Sequence, residues 1–213
     1  MLIDTLRETA AALEARGISV TAGVGDPVPL ELLEELEKAH SITLPDELRS
    51  LYLSVGDGIH FSWEQGDMFG MFDLPPLADL LKRTTEFRAH VVEIADDPAY
   101  IDECCDPPHR ARAHEIWNSM RSWLRFHEEG NGDGFCIRAE DGAVVFDQHD
   151  WFDGFGDLCT TNGLVAGASL TDFVVQWSRF FFTCPKSLFW GDSDEQGRID
   201  WDAGFFRPDY IRY

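Results

Sequence analysis

The sequence predicts an α+β fold, with helices packed on a mixed, largely antiparallel β-sheet. Three observations carry it. Apolar residues recur at helical spacing in the N-terminal third, as at Leu48, Leu51, Tyr52 and Val55. Two short runs, "IHFSW" and "MFGMF", flank the turn "EQGD" and read as a hairpin. A second strand–turn–strand pattern follows in "FCIRAEDGAVVF". Helices first and antiparallel strands in the middle suit one α+β domain.

Each element follows in order. Leu2, Leu6 and Leu13 mark a first helix, which Gly17 ends. "TAGVGDPVP" reads as a turn-rich connector. Pro29 opens a second helix, with Leu32, Leu33, Leu36 and Ala39 on one face and Glu31, Glu34, Glu35 and Glu37 on the other. "HSIT" breaks it. Pro45 then suits the first helical position, and Asp46 and Glu47 favour the positive end of the helix dipole. Gly56 is expected to take the left-handed conformation that ends this helix, and Gly58 to turn the chain into the hairpin.

Residues 77 to 91 look helical. Residues 92 to 110 are acidic and proline-bearing, and are expected to be irregular, an excursion near 92–116 from the main fold. A helix ending near Met120 leads to "SWLRFHEE". Phe135, Ile137 and Ala139 alternate, Asp141-Gly142 signals a type I′ turn, and Val144 and Phe146 alternate again. Residues 170 to 182, "LTDFVVQWSRFFF", form a last helix whose Phe-rich face requires burial. The domain therefore spans 1–183, and 184–213 is an acidic, aromatic extension packed on it.

Charge is the outlying property. Against 39 acidic residues stand 17 basic ones, a net charge of −22 over 213 residues. Such a field repels nucleic acid and anionic membrane and speeds encounter with a basic partner. The N-terminal residues read as an amphipathic helix and not as a signal peptide. No apolar run approaches the ~20 residues of a membrane span. Five cysteines, an odd number, suit reduced thiols. The expected location is the cytoplasm.

The chemical motifs are sparse. "GNGDGF" lacks the strand-to-helix context of a phosphate-binding loop. No nucleophile elbow, zinc-protease motif or P-loop occurs. Cys104, Cys105, His109 and His114 are soft or borderline ligands, but adjacent cysteines do not readily face one ion. Asp192, Asp194 and Gln196 occupy positions one, three and five of a calcium-loop pattern. Ala203 then stands where that loop needs a bidentate Glu. His149, between Gln148 and Asp150, could act as a base or cap a strand; the absence of a nearby nucleophile favours the second role. No metal and no cofactor are expected.

"LEELEKAHSITLPDELRSLYLSVGDG" at 32–58, "WLRFHEEGNGDGFCI" at 123–137 and "GAVVFDQHDW" at 142–151 together resemble the SUKH superfamily. It is named partly for a fungal cell-wall-synthesis regulator and includes many bacterial immunity proteins. The matching features are Leu44-Pro45, Gly58, the loop Gly130 to Gly134 with Asp133, and His149-Asp150. Asp57 stands where the family has Asn. The resemblance implies a non-catalytic protein-binding domain, and most often an immunity protein that blocks a toxin, commonly a nuclease. A nuclease must hold phosphates, so the implied partner is a basic toxin domain. The expected contact residues are Asp133, His149, Asp150, Trp151 and Asp153, on two strand-end loops of which the second carries Trp151 and Phe152 among carboxylates; the alternative is that Trp151 is core and the acids only solvate the surface. The alternatives are a SUKH-type regulator or scaffold, and a calcium- or zinc-dependent module or enzyme.

Overall fold

The computed structural model describes residues 2–105, 107–128, 132–148, 162–183 and 197–201. Its strands form two antiparallel sheets rather than one: a three-stranded sheet ordered β1-β2-β3 and a four-stranded sheet ordered β4-β5-β6-β7. The elements are α1 (Leu2–Glu14), β1 (Val20–Val24), α2 (Leu30–His40), α3 (Asp46–Ser54), β2 (Ile59–Gln65) and β3 (Met68–Leu74). They continue with α4 (Leu77–Ala95), α5 (Pro98–Cys104), α6 (Arg110–Met120), β4 (Trp123–Glu128), β5 (Gly134–Arg138), β6 (Val144–Asp147), β7 (Val165–Gly167) and α7 (Leu170–Ser178). No described helix is long and apolar enough to cross a membrane.

The expected hairpin is β2–β3. Gly66 and Asp67 form its turn, and the register runs from Gln65↔Met68 to Ile59↔Leu74. Ile59, Phe61 and Trp63 face inward, while His60 and Glu64 face solvent, the alternation of a sheet with one wet face. α3 buries Leu48, Leu51 and Tyr52. Gly58 has φ +91° and turns the chain into β2, but Gly56 is not left-handed. Gly56 is small for another reason: any Cβ there would run into the Gly25 carbonyl, where the end of β1 crosses the end of α3.

Five other expectations change. "TAGVGDPVP" contains most of β1, because Val20 to Val24 pair with β2 from Trp63 to Ile59; pairing overrides the glycine-rich composition. The apolar stripe of α2 is narrower than expected: Leu33 is buried and Leu36 half-buried, while Leu32 is 45% exposed. The segment 92–110 is largely helical, with α4 running to Ala95 and α5 and the start of α6 following. Its apolar side chains, Ile101 and Cys105 with Ala113, Ile116 and Trp117 of α6, form a second core cluster.

That cluster lies on one face of the four-stranded sheet against Trp123, Cys136 and Val145. The other face, through Leu124, Phe126, Phe135, Ile137, Val144 and Phe146, joins the main core. A sheet covered on both faces has no polar alternation, which is why β5 is buried from Gly134 to Ile137. α7 ends at Ser178, sooner than expected. Phe181 and Phe182 take φ of 55° and 56°. The turn they make lays residues 182–183 along β3, with Met71 N donating to the Phe182 carbonyl at 2.8 Å. The Asp141-Gly142 turn is also not type I′. Ile137 pairs with Val144, and Arg138 N donates to the Ala143 carbonyl at 2.9 Å. The connection is therefore a longer loop, with φ positive only at Gly142.

Candidate functional site

The wet face of the three-stranded sheet carries a groove of about 500 Å³. Its position follows from the register. Gly23, His60 and Asp73 stand in one row across β1, β2 and β3. Glycine at 23 leaves the space beside the imidazole unfilled. Asp57 and Gly58 wall one end, Pro75 and Pro76 another, and exposed Arg83 of α4 reaches in from the helix. Asp57 is fixed in place, because its Oδ1 accepts from the Leu77 N–H at 2.6 Å at the start of α4.

His60 organises the groove. Its Nδ1 lies 2.5 Å from Asp73 Oδ1. A carboxylate only accepts, so this nitrogen donates, and in the neutral ring Nε2 is left to accept from Ser62 Oγ at 2.9 Å. Carboxylate, imidazole and hydroxyl thus stand in the order of a nucleophilic triad. Three of the backbone donors beside it are engaged within the fold. Gly25 N–H donates to the Gly58 carbonyl, Asp57 N–H to the Asp26 carbonyl and Gly58 N–H to the Gly56 carbonyl, at 3.1, 2.8 and 3.1 Å. The arrangement is suited to holding a polar or cationic side chain on an open sheet face. This constellation was not found from the sequence. The signal was available: once Gly66-Asp67 is taken as a two-residue turn, counting back places His60 opposite Asp73.

Asp133, expected as a contact residue, precedes β5 and is only 7% exposed. Nearby, Arg125 extends from β4 on the side of the sheet facing α4. Its Nε lies 3.5 Å from Asp147 Oδ2, its guanidinium donates to the Gly132 carbonyl, and it stacks over the Phe87 ring at 5.6 Å. Asp147 is buried too. Two of the acids around the expected binding loops therefore belong to the interior, while Glu128, Glu140 and Asp141 are exposed. His149, Asp150, Trp151 and Asp153 lie outside the described residues, as do Asp192, Asp194 and Gln196.

The structure separates the other sequence candidates. Cys105 is buried in the second cluster, and His114 Nε2 lies 3.0 Å from Asp102 Oδ1. Among the described residues no three His, Cys, Asp or Glu side chains converge as metal ligands. Cys136 is also interior. Burial pushes its thiol well up, the Asp147 carboxylate adds to this, and Arg125 and Arg88 only partly oppose it. A thiol held protonated is a poor nucleophile.

Two antiparallel sheets with helices on their flanks, and an open polar groove on the wet face of the three-stranded sheet, define an α+β domain. The model of the SMI1/KNR4 family (SUKH-1) matches residues 27–175. The chain belongs to this family. The matched span begins after β1 and ends within α7, so it holds β2 to β7 and α2 to α6 whole. No curated protein matches the chain.

Proposed function

We propose that this protein acts by binding alone, as an immunity protein that neutralises a basic toxin domain in the cytoplasm of the cell that makes both. The observation that carries the reading is the net charge of −22 on a chain of the SUKH type. A toxin that cleaves nucleic acid has a basic surface for phosphates. An acidic protein competes for that surface and reaches it quickly, because complementary fields raise the association rate. Binding without turnover asks only for a rigid, complementary surface. The groove at His60 and Asp73 supplies acceptor groups on a strand scaffold, and the acids between Glu128 and Asp153 supply charge.

The test is genetic and then physical. A toxin gene is expected beside the gene for this protein. Expression of its C-terminal domain alone is expected to arrest growth, and co-expression of this chain to restore it through a stoichiometric complex. The reading fails if no such gene adjoins, or if the toxin domain kills equally with and without this chain.

A further inference from the structure

Among the described residues, the three-stranded sheet has one protected edge and one open edge. β3 is covered by residues 182–183 through the Met71–Phe182 bond and the Gly70↔Thr183 bridge. In the other sheet, β7 is covered in the same way, by Ile199 N–H donating to the Val165 carbonyl at 2.8 Å. β1 is different. It lies at the end of its sheet, and Thr21, Ala22, Gly23 and Val24 are all exposed. Proteins normally defend such an edge with lysine, proline or a bulge. "VTAGV" has no charge and no proline, and its pairing with β2 runs without a register shift.

The direction of the backbone groups follows from one bond. Gly25 N–H donates to the Gly58 carbonyl. Bonding alternates along an antiparallel pair. Thr21 and Gly23 therefore turn both backbone groups to β2, while Val20, Ala22 and Val24 turn theirs outward. We propose that this edge receives an extended, basic segment of the partner protein as a fourth strand. The proposal rests on the binding reading above and names the kind of contact it uses.

The chemistry of the segment follows from the two faces. An added strand places alternate side chains beside Val20, Ala22 and Val24, where Val24 is 46% exposed, so those positions suit apolar residues. The intervening side chains fall on the wet face, beside Thr21 and Gly23. Glu64 lies one step beyond the Val20–Trp63 pair, Asp73 lies in the Gly23 row, and the end of the strand carries Asp26 and Asp57. Arg83 is the cation among the residues lining the groove. From Gly17 to Glu37 the chain has five acids and no Lys, Arg or His. Lysine or arginine therefore fits the wet-face positions. A second copy of this chain brings the same −22 and is repelled.

The test uses the full chain and a pool of short synthetic peptides in which Lys or Arg alternates with Val, Ile or Thr, with an Asp/Glu pool as control. The basic pool is expected to be retained and to slow amide exchange at Val20, Ala22 and Val24. Ala22→Pro removes an outward N–H and leaves the bonds to β2 intact, so it is expected to weaken retention about tenfold, the worth of roughly 1.4 kcal/mol. Val24→Lys keeps the backbone and is expected to repel the same pool; thermal melts confirm that each variant folds. The proposal is overturned if Ala22→Pro and Val24→Lys retain the basic pool unchanged, if the acidic pool binds as well, or if protection appears away from β1. Sedimentation showing a dimer that Ala22→Pro dissociates would assign the edge to a second copy and overturn it too. Growth rescue by Ala22→Pro at the wild-type level would remove the edge proposal and leave the immunity reading standing.

Discussion

Tyr52 has no exposed surface, and its hydroxyl donates to the buried Pro75 carbonyl at 2.7 Å. The bond ties α3 to the link between β3 and α4, and so fixes one wall of the groove. Burial pushes the phenol well above its usual range, and the nearby Asp57 charge adds to this. The folded state therefore keeps a proton that the unfolded chain releases near pH 10. Stability is at its full value below that pH and is lost as pH rises towards the raised folded value. Tyr52→Phe is expected to abolish this alkaline loss while costing about 1–3 kcal/mol at neutral pH, because the Pro75 carbonyl loses its donor. Denaturant melts of both proteins at neutral and alkaline pH check it; parallel curves would place the alkaline transition elsewhere. Leu51, one residue earlier, is 8% exposed on the same helix face. Leu51→Ala is expected to cost about 2–5 kcal/mol, and an unchanged midpoint would show that this face carries no core packing.

Among the elements, α3 and α7 are joined by one carboxylate. Glu47 accepts from the Leu170 and Thr171 N–H groups at 2.9 and 3.0 Å, free donors of the first turn of α7. Ser169 Oγ accepts from Asp172 N–H at 3.1 Å and completes the cap. Glu47→Ala is expected to cost about 1–2 kcal/mol, since it removes a charged cap. Glu47→Gln keeps an acceptor and is expected to lose less. Urea melts with equal m-values check both; an equal loss for the two variants would show that the charge carries the cap and the retained acceptor adds nothing, and no loss in either would show that the contact does not stabilise the fold. In the sequence, Glu47 reads as a first-turn acid of its own helix, a local role; that it serves a helix more than a hundred residues away is tertiary information. The same limit separates the other successes from the misses. α1, α3, α4 and the β2–β3 hairpin were legible because period and turn are local. β1 was not, because glycines conceal a strand that exists through its partner. The helices after residue 95 were hidden by acids and prolines, since their burial depends on a sheet face supplied by residues 123–145. Of the expected contact residues only Asp133 can be placed, and an acid beside glycines looks exposed until the fold closes over it. The His60–Asp73 row was readable by counting back from a turn, yet only once that turn had been taken as two residues.

For the molecule as a whole, charge acts at longer range than any of these contacts. Between Glu128 and Asp153 the sequence has eight acids and one base, Arg138. Of these, Asp133 and Asp147 are interior, and Asp141 is bound to Arg138 at 2.5 Å. Of the described acids of this segment, Glu128 and Glu140 are exposed, and they steer together with the surplus spread over the rest of the chain. A field from many separated charges sets the rate of encounter, whereas aromatic anchors and strand pairing set how long a complex lasts. The two contributions come apart under salt. The Debye length is about 10 Å at 0.1 M and about 3 Å at 1 M, so salt removes steering while leaving backbone hydrogen bonds in place. Neutralising both acids by Asp150→Asn and Asp153→Asn is expected to slow association with a basic toxin domain, with little change in dissociation. The difference from wild type is expected to shrink as salt rises, while Ala22→Pro is expected to act on dissociation at every salt concentration. Stopped-flow association and dissociation rates for the three proteins at low and high salt measure both. Wild-type association that ignores salt would show that the −22 charge serves solubility and does not steer; a faster dissociation of the neutralised variant, confined to low salt, would move Asp150 and Asp153 into the contact itself.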